Sequence, residues 1–207
     1  MKVKILSLLA LITFSGSFAF ALGNASRIPM SIAHFKLGEP IDKYAASINA
    51  GFPFHDADYP YLTHYEILPF EGFSGGFVAT GNCTGSSKIV RIKLKYADSS
   101  EEFFQRIKKE LEKRYGKPQV YRGDPFHVFV SWKWRFEDKK GKVVSMILEH
   151  YSGRGEEYAS GTAIKLNYIS EIRREESCFK KHRIGIAPDG SGKKSTKALD
   201  IDYFLPY

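Results

Sequence analysis

Residues 88–96 read Lys-Ile-Val-Arg-Ile-Lys-Leu-Lys-Tyr. Val90, Ile92, Leu94 and Tyr96 alternate with Arg91, Lys93 and Lys95, a strict period of two. A helix turning every 3.6 residues would scatter these two sets around its circumference. A strand puts each set on its own side. The stretch therefore demands a sheet with one apolar face against a core and one cationic face toward water, the pattern of antiparallel rather than fully covered parallel sheets.

Further strand signals surround it. Leu62 to Leu68 and Gly75 to Thr80 precede it, with turn residues at Gly81-Asn82 and Gly85-Ser86-Ser87. Val128, Val130, Trp132, Trp134 and Phe136 share one face of a later strand, and Asp138 to Gly141 supplies a hairpin turn. Val144, Met146 and Leu148 share a face of the next strand, and Ile164, Leu166 and Tyr168 of the last.

Two helices are expected. Ile41, Tyr44, Ala45 and Ile48 recur at helical spacing after Pro40, a residue suited to a first helical turn. The second has a capping box at Ser99 and Glu102, an apolar stripe of Phe103, Phe104, Ile107 and Leu111, and a stop at Gly116 and Pro118. The resulting order is helix, three strands, helix, three strands. The two helices begin about 60 residues apart, the spacing of a tandem structural repeat. The predicted fold class is α+β: an antiparallel sheet with helices on one face, built from tandem α-β-β-β units at about 35–97 and 98–170. A common six-stranded sheet and two separate three-stranded units both satisfy this order.

The N-terminus has the form of a secretory signal peptide: Lys2 and Lys4, an apolar run from Ile5 to Ile12, and Ala19-Phe20-Ala21 as the cleavage site. The expected leader is 1–21, with a mature start near Leu22 and a periplasmic or secreted destination. The apolar run is shorter than the roughly 20 residues a membrane span needs, and no second run follows. No integral span is expected. The globular body is assigned to 22–172. A charged, then Gly/Ser/Lys-rich tail at 173–207 follows, partly mobile, with Pro188 to Lys197 as its loosest part. The aromatic end, Tyr203 to Tyr207, reads as a candidate docking peptide.

Cys83 and Cys178 are the two cysteines. In an exported chain a disulfide is the leading reading, with free thiols or a reactive nucleophile as the alternatives. No His near Cys83 in sequence offers a base, and His182 lies four residues beyond Cys178.

Charge is the main functional signal. The chain has a formal net charge of +8, of which the leader holds two lysines. Arg91, Lys93 and Lys95 share the wet side of one strand, Lys133 and Arg135 of a second, and Lys165 of a third. Placed side by side, these strands would tile one face with cations able to hold phosphate or sulfate groups. Export removes the chain from most nucleic acid, so the expected partner is a protein or an anionic envelope polymer. Oligomeric state is left open by the sequence.

Other constellations are weaker. Trp132 and Trp134 invite sugar stacking, but their alternation with Ser131, Lys133 and Arg135 assigns them to the core. His55, Asp56, Asp58 and His64 flank an early loop, and Asp124, His127, Glu149 and His150 lie near the later hairpin. No zinc spacing is present, so no metal and no cofactor are expected. Asp124, His127 and His150 are the candidates for an alternative reading, an envelope-acting hydrolase. Gly190 to Ser195 looks superficially like a phosphate loop but has no preceding strand. Asn82-Cys83-Thr84 fits a glycosylation sequon, relevant only in a eukaryotic secretory host.

Phe35-Lys36-Leu37-Gly38, entering a short helix ahead of three strands, resembles the opening of the small lipoprotein of the outer-membrane assembly machinery. The doubled helix-plus-strands order is similar to the secreted β-lactamase inhibitory proteins. Both families bind proteins without catalysis. The resemblance implies a binding module and transfers no site residue. This chain lacks the lipoprotein cysteine, and it has the general look of bacterial exported proteins.

Overall fold

The computed structural model describes residues 28–153 and 161–185. The expected leader, the Pro188–Lys197 stretch and the Tyr203–Tyr207 end all lie outside them. The described chain opens with a small antiparallel hairpin of β1 (Ser31–Ile32) and β2 (Phe35–Lys36). A 3₁₀ helix (Ile41–Ser47) leads to β3 (Leu62–Ile67), β4 (Phe73–Gly81) and β5 (Ile89–Tyr96). Then come α1 (Glu101–Tyr115), β6 (Val120–Gly123), β7 (Phe129–Glu137), β8 (Val143–Tyr151), β9 (Gly161–Tyr168) and α2 (Ile169–Gly185).

The seven strands β3 to β9 form one antiparallel sheet in the order β3-β4-β5-β9-β8-β7-β6. Each half is a meander, and the halves meet where their last strands pair. Arg91 lies opposite Asn167 and Lys95 opposite Ala163. The fold is α+β, as the sequence predicts. Of the two arrangements left open, the structure has the common sheet, with a seventh strand in it.

One face of the sheet holds the main core. Ile92, Leu94, Val78, Ile164, Leu166, Met146, Leu148, Trp134 and Phe136 are buried there with Phe104 of α1 and Ile41 and Tyr44 of the 3₁₀ helix. Fully burying an aliphatic or aromatic side chain of this size contributes about 1.5–3 kcal/mol. Trp134 adds a polar tie: its Nε1–H donates to the Gly116 carbonyl at 2.8 Å, anchoring the end of α1 to β7. Gly116 can serve there because its φ of +78° is one that only glycine adopts freely. Phe35 and Leu37 of the opening motif are buried in the same core, and the Gly38 N–H donates to Ile89 O at 2.8 Å.

Several expectations need correction. The helix near Ile41 is 3₁₀ rather than α, with Pro40 as its cap. The α1 cap is Ser100, whose Oγ accepts from the Phe103 N–H at 3.2 Å, and not Ser99. Val90 does not share the core face with Ile92. A bulge sets Ala79 opposite Arg91 and Thr80 opposite Ile89, so Val90 has no partner in the ladder. Ile89 thereby joins the main core and Val90 a second cluster with Ala79, Tyr61, Leu62 and Ile172. That cluster lies on the opposite face, under α2. The two expected helices do pack on one face; α2, where a charged tail was expected, packs on the other.

Candidate functional site

The cations singled out in the sequence all fall on the α2 side of the sheet. Register pairing carries one row across the strands: Lys93 of β5, Lys165 of β9, Ile147 of β8 and Lys133 of β7. The next row holds Arg91, Asn167, Ser145 and Arg135. Between this face and α2 is an open cavity of about 600 Å³. Arg91, Lys93, Lys133 and Lys165 line it, joined by Arg122 of β6 and Arg173 of α2. Among the described residues Asp56 is the one carboxylate on its wall.

Lys95 and Arg135 stand apart. Lys95 lines a neighbouring hollow of about 140 Å³ with Lys93, Phe129 and Glu149. Arg135 pairs with the exposed Glu137 at 3.0 Å and does not reach the main cavity.

A buried carboxylate organises the lysines. Glu149 accepts from Lys93 Nζ at 2.9 Å and from Lys165 Nζ at 2.7 Å, with only 13% of its side chain exposed. Burial alone would raise its carboxyl, but the charges of Lys165 and Lys93 overcome this and hold it below the ordinary value. Lys165 is lowered instead: burial disfavours its ammonium, Glu149 opposes that, and Lys93 and Arg91 add repulsion. The two lysines are thus partly neutralised. Arg91, Lys133, Arg122 and Arg173 have no acidic partner within ion-pair distance among the described residues.

Arg91 is the most firmly held of these. Its Nε–H donates to Asn167 Oδ1 at 2.9 Å, and Asn167 Nδ2 donates to the buried Ser145 Oγ at 3.2 Å. Its guanidinium carbon stands 4.1 Å from the Tyr59 ring centroid. Held flat and fixed at Nε, the guanidinium keeps its two terminal nitrogens for a planar oxyanion, at little further cost in side-chain entropy.

Sequence reasoning missed Arg122 and Arg173 because it missed the elements that bear them. Residues 120–123 are exposed on both sides and show no alternation. In α2 the buried anchor is a glutamate. Glu175 Oε2 accepts from the Cys83 N–H at 2.9 Å and the Thr84 N–H at 3.0 Å, and its Oε1 accepts from the Thr84 hydroxyl. Cys83 and Cys178 pair in a disulfide beside this contact, fixing α2 to the β4–β5 loop. A histidine does stand near Cys83: His182 Nδ1 lies 3.5 Å from its Sγ and 3.6 Å from that of Cys178. Chain folding, rather than sequence spacing, brings it there.

The hydrolase candidates serve separate tasks. Asp124 accepts from the N–H groups of Phe126 and Phe129 and shapes the β6–β7 turn. His127 Nδ1 lies 3.1 Å from the Tyr121 hydroxyl. His150 is buried on the core face, 2.9 Å from Thr162 Oγ1 and 3.2 Å from the Glu101 carboxylate. His127 and Asp124 are joined only through the backbone, the His127 N–H donating to Asp124 O at 3.1 Å, and among the described residues no side-chain hydrogen bond joins any two of the three. Trp134 is fully buried in the core, and Trp132 packs against that core with Lys108 Nζ 4.5 Å from its ring centroid.

His64 belongs in sequence to the cluster that flanks the early loop. It is buried on the cavity side, stacked on Phe54 and edge-on to Phe77, with both ring nitrogens unpartnered among the described residues. Burial and the Arg91 charge push its pKa down, favouring the neutral ring. No described helix is long and apolar enough to cross a membrane. No family model, curated protein or solved structure matches the chain.

Proposed function

We propose that this is an exported, soluble, non-catalytic binding protein that captures an anionic partner on the α2 side of its sheet. The partner is an acidic protein or an anionic polymer of the bacterial envelope. One observation supports the reading: among the described residues, six cationic side chains meet a single wall carboxylate around a cavity of about 600 Å³. A larger cleft of about 690 Å³ by the β7–β8 hairpin lacks that excess. Its acids Asp138 and Glu171 are engaged, Asp138 with the turn backbone and Glu171 with Arg174. The signal-like N-terminus and the resemblance to envelope binding proteins support the same reading.

The test is retention of the mature protein on an immobilised sulfated polymer at low and high salt. Retention should be salt-sensitive, because exposed charges more than about 10 Å apart are largely screened at 0.1 M salt. Arg91→Glu with Lys133→Glu should abolish it, whereas Lys139→Glu on the hairpin should not. Equal loss in both would refute the site.

A further inference from the structure

We propose that the ligand is a linear acidic polysaccharide that lies across the strands and fills both ends of the cationic cavity at once. This rests on the binding reading above and names the ligand class. Of the four cations without an acidic partner, the three on the sheet stand at opposite ends of the face, in neighbouring rows. Arg91 lies on β5, while Lys133 and Arg122 lie on β7 and β6. The order β5-β9-β8-β7 puts three strand spacings between Arg91 and Lys133, about 14 Å at 4.7–4.9 Å per strand. A single phosphate or sulfate reaches one end only. The floor between them presents Ile147 and Lys165 above the buried Asn167 and Ser145, an apolar patch beside a cation that suits the ring of a charged sugar.

Other polyanions fit less well. Single-stranded nucleic acid binds through aromatic platforms as well as charge, and the Tyr59 ring face is covered by Arg91. An extended peptide is recognised through its backbone at a sheet edge. Here the charges lie on the face of the sheet, and the β3 edge is already bridged by Phe54 and Ile48. What this face can read is a row of charges on a chain crossing the strands.

Calorimetry on the intact disulfide-bonded protein tests this with inorganic sulfate, sulfated di-, tetra- and decasaccharides, and oligoglutamate of matched charge. Joining the two ends should raise affinity from the disaccharide to the decasaccharide on the order of a hundredfold, with a plateau once the span is covered. Arg122→Gln with Lys133→Gln should weaken the decasaccharide far more than the disaccharide, so that the gain in affinity with length is lost. Equal affinity at all lengths, or equal weakening at all lengths in the variant, would overturn the spanning mode. Oligoglutamate binding as tightly as the decasaccharide would overturn the saccharide assignment. Binding of no anion at all would overturn the underlying function instead.

Discussion

Replacing Glu149 by Gln should weaken the fold and strengthen anion capture together. The substitution keeps the shape and removes the charge that Lys93 and Lys165 share at 2.9 and 2.7 Å. With an effective dielectric near 20, each contact is worth about 6 kcal/mol of Coulomb attraction before desolvation. Removing one partner of a buried pair costs about 3–5 kcal/mol. The lysines remain 30% and 27% exposed and can draw in water, so a net loss of about 2–3 kcal/mol follows. For a chain of this size that is a fall in Tm of about 5–10 °C. A sulfate or sulfated oligosaccharide should then pair with the two ammoniums that the substitution leaves uncompensated. Its addition should raise the Tm of the variant by more than that of the parent, and calorimetry should show tighter binding. Glu137→Gln, at the exposed Arg135 pair, is the control and should change stability by less than about 1 kcal/mol. An unchanged Tm, or the same anion-induced shift in variant and parent, would show that Glu149 does not hold these charges in place.

Replacing both Cys83 and Cys178 by Ser opens a loop with a sequence separation of 95. Urea unfolding should show a loss of about 4–5 kcal/mol in the chain-entropy limit; an unchanged midpoint would contradict the staple. His64 is held neutral, so its contribution to stability is complete above its ordinary value of 6.5 and is lost as pH falls through the lower folded value. Thermal melts from pH 8 to 5 should decline for the parent and be flatter for His64→Leu, and parallel curves would argue against a buried neutral ring. Lys165 is pushed below its ordinary 10.5, so anion affinity should start to fall with rising pH before the normal lysine range. Lys165→Arg should remove that early limb, because a guanidinium stays charged there.

The sequence makes the sheet legible where burial is one-sided. The β5 alternation reads through because every second residue enters an apolar core, and α1 reads through its stripe and stop. The bulge at Val90 escapes notice, since a strand with one extra residue looks like an ordinary strand until its partner is known. β6 is too short and too exposed to carry a period. In α2 the decisive contact is a carboxylate accepting from loop N–H groups, and hydrophobic patterning does not register hydrogen bonds. Four of the six proposed cations line the cavity because the period-two rule fixes their side of the sheet. Which strands stand next to one another is a long-range property. That arrangement recruits Arg122 and Arg173, and it leaves Lys95 and Arg135 beyond the cavity.

The pairing of β5 with β9 makes the middle of the sheet its most distant contact along the chain, since Arg91 and Asn167 are 76 residues apart. The flanking hairpins close through short loops, whereas this seam joins residues far apart in the chain and carries the larger loss of chain entropy. Arg91 and Lys93 lie on one side of the seam, Lys165 and Lys133 on the other. An anion reaching across them is therefore a clasp on the joint between the two halves. Whatever tightens its grip also resists their parting, so amide exchange along β5 and β9 should slow most when the cavity is filled.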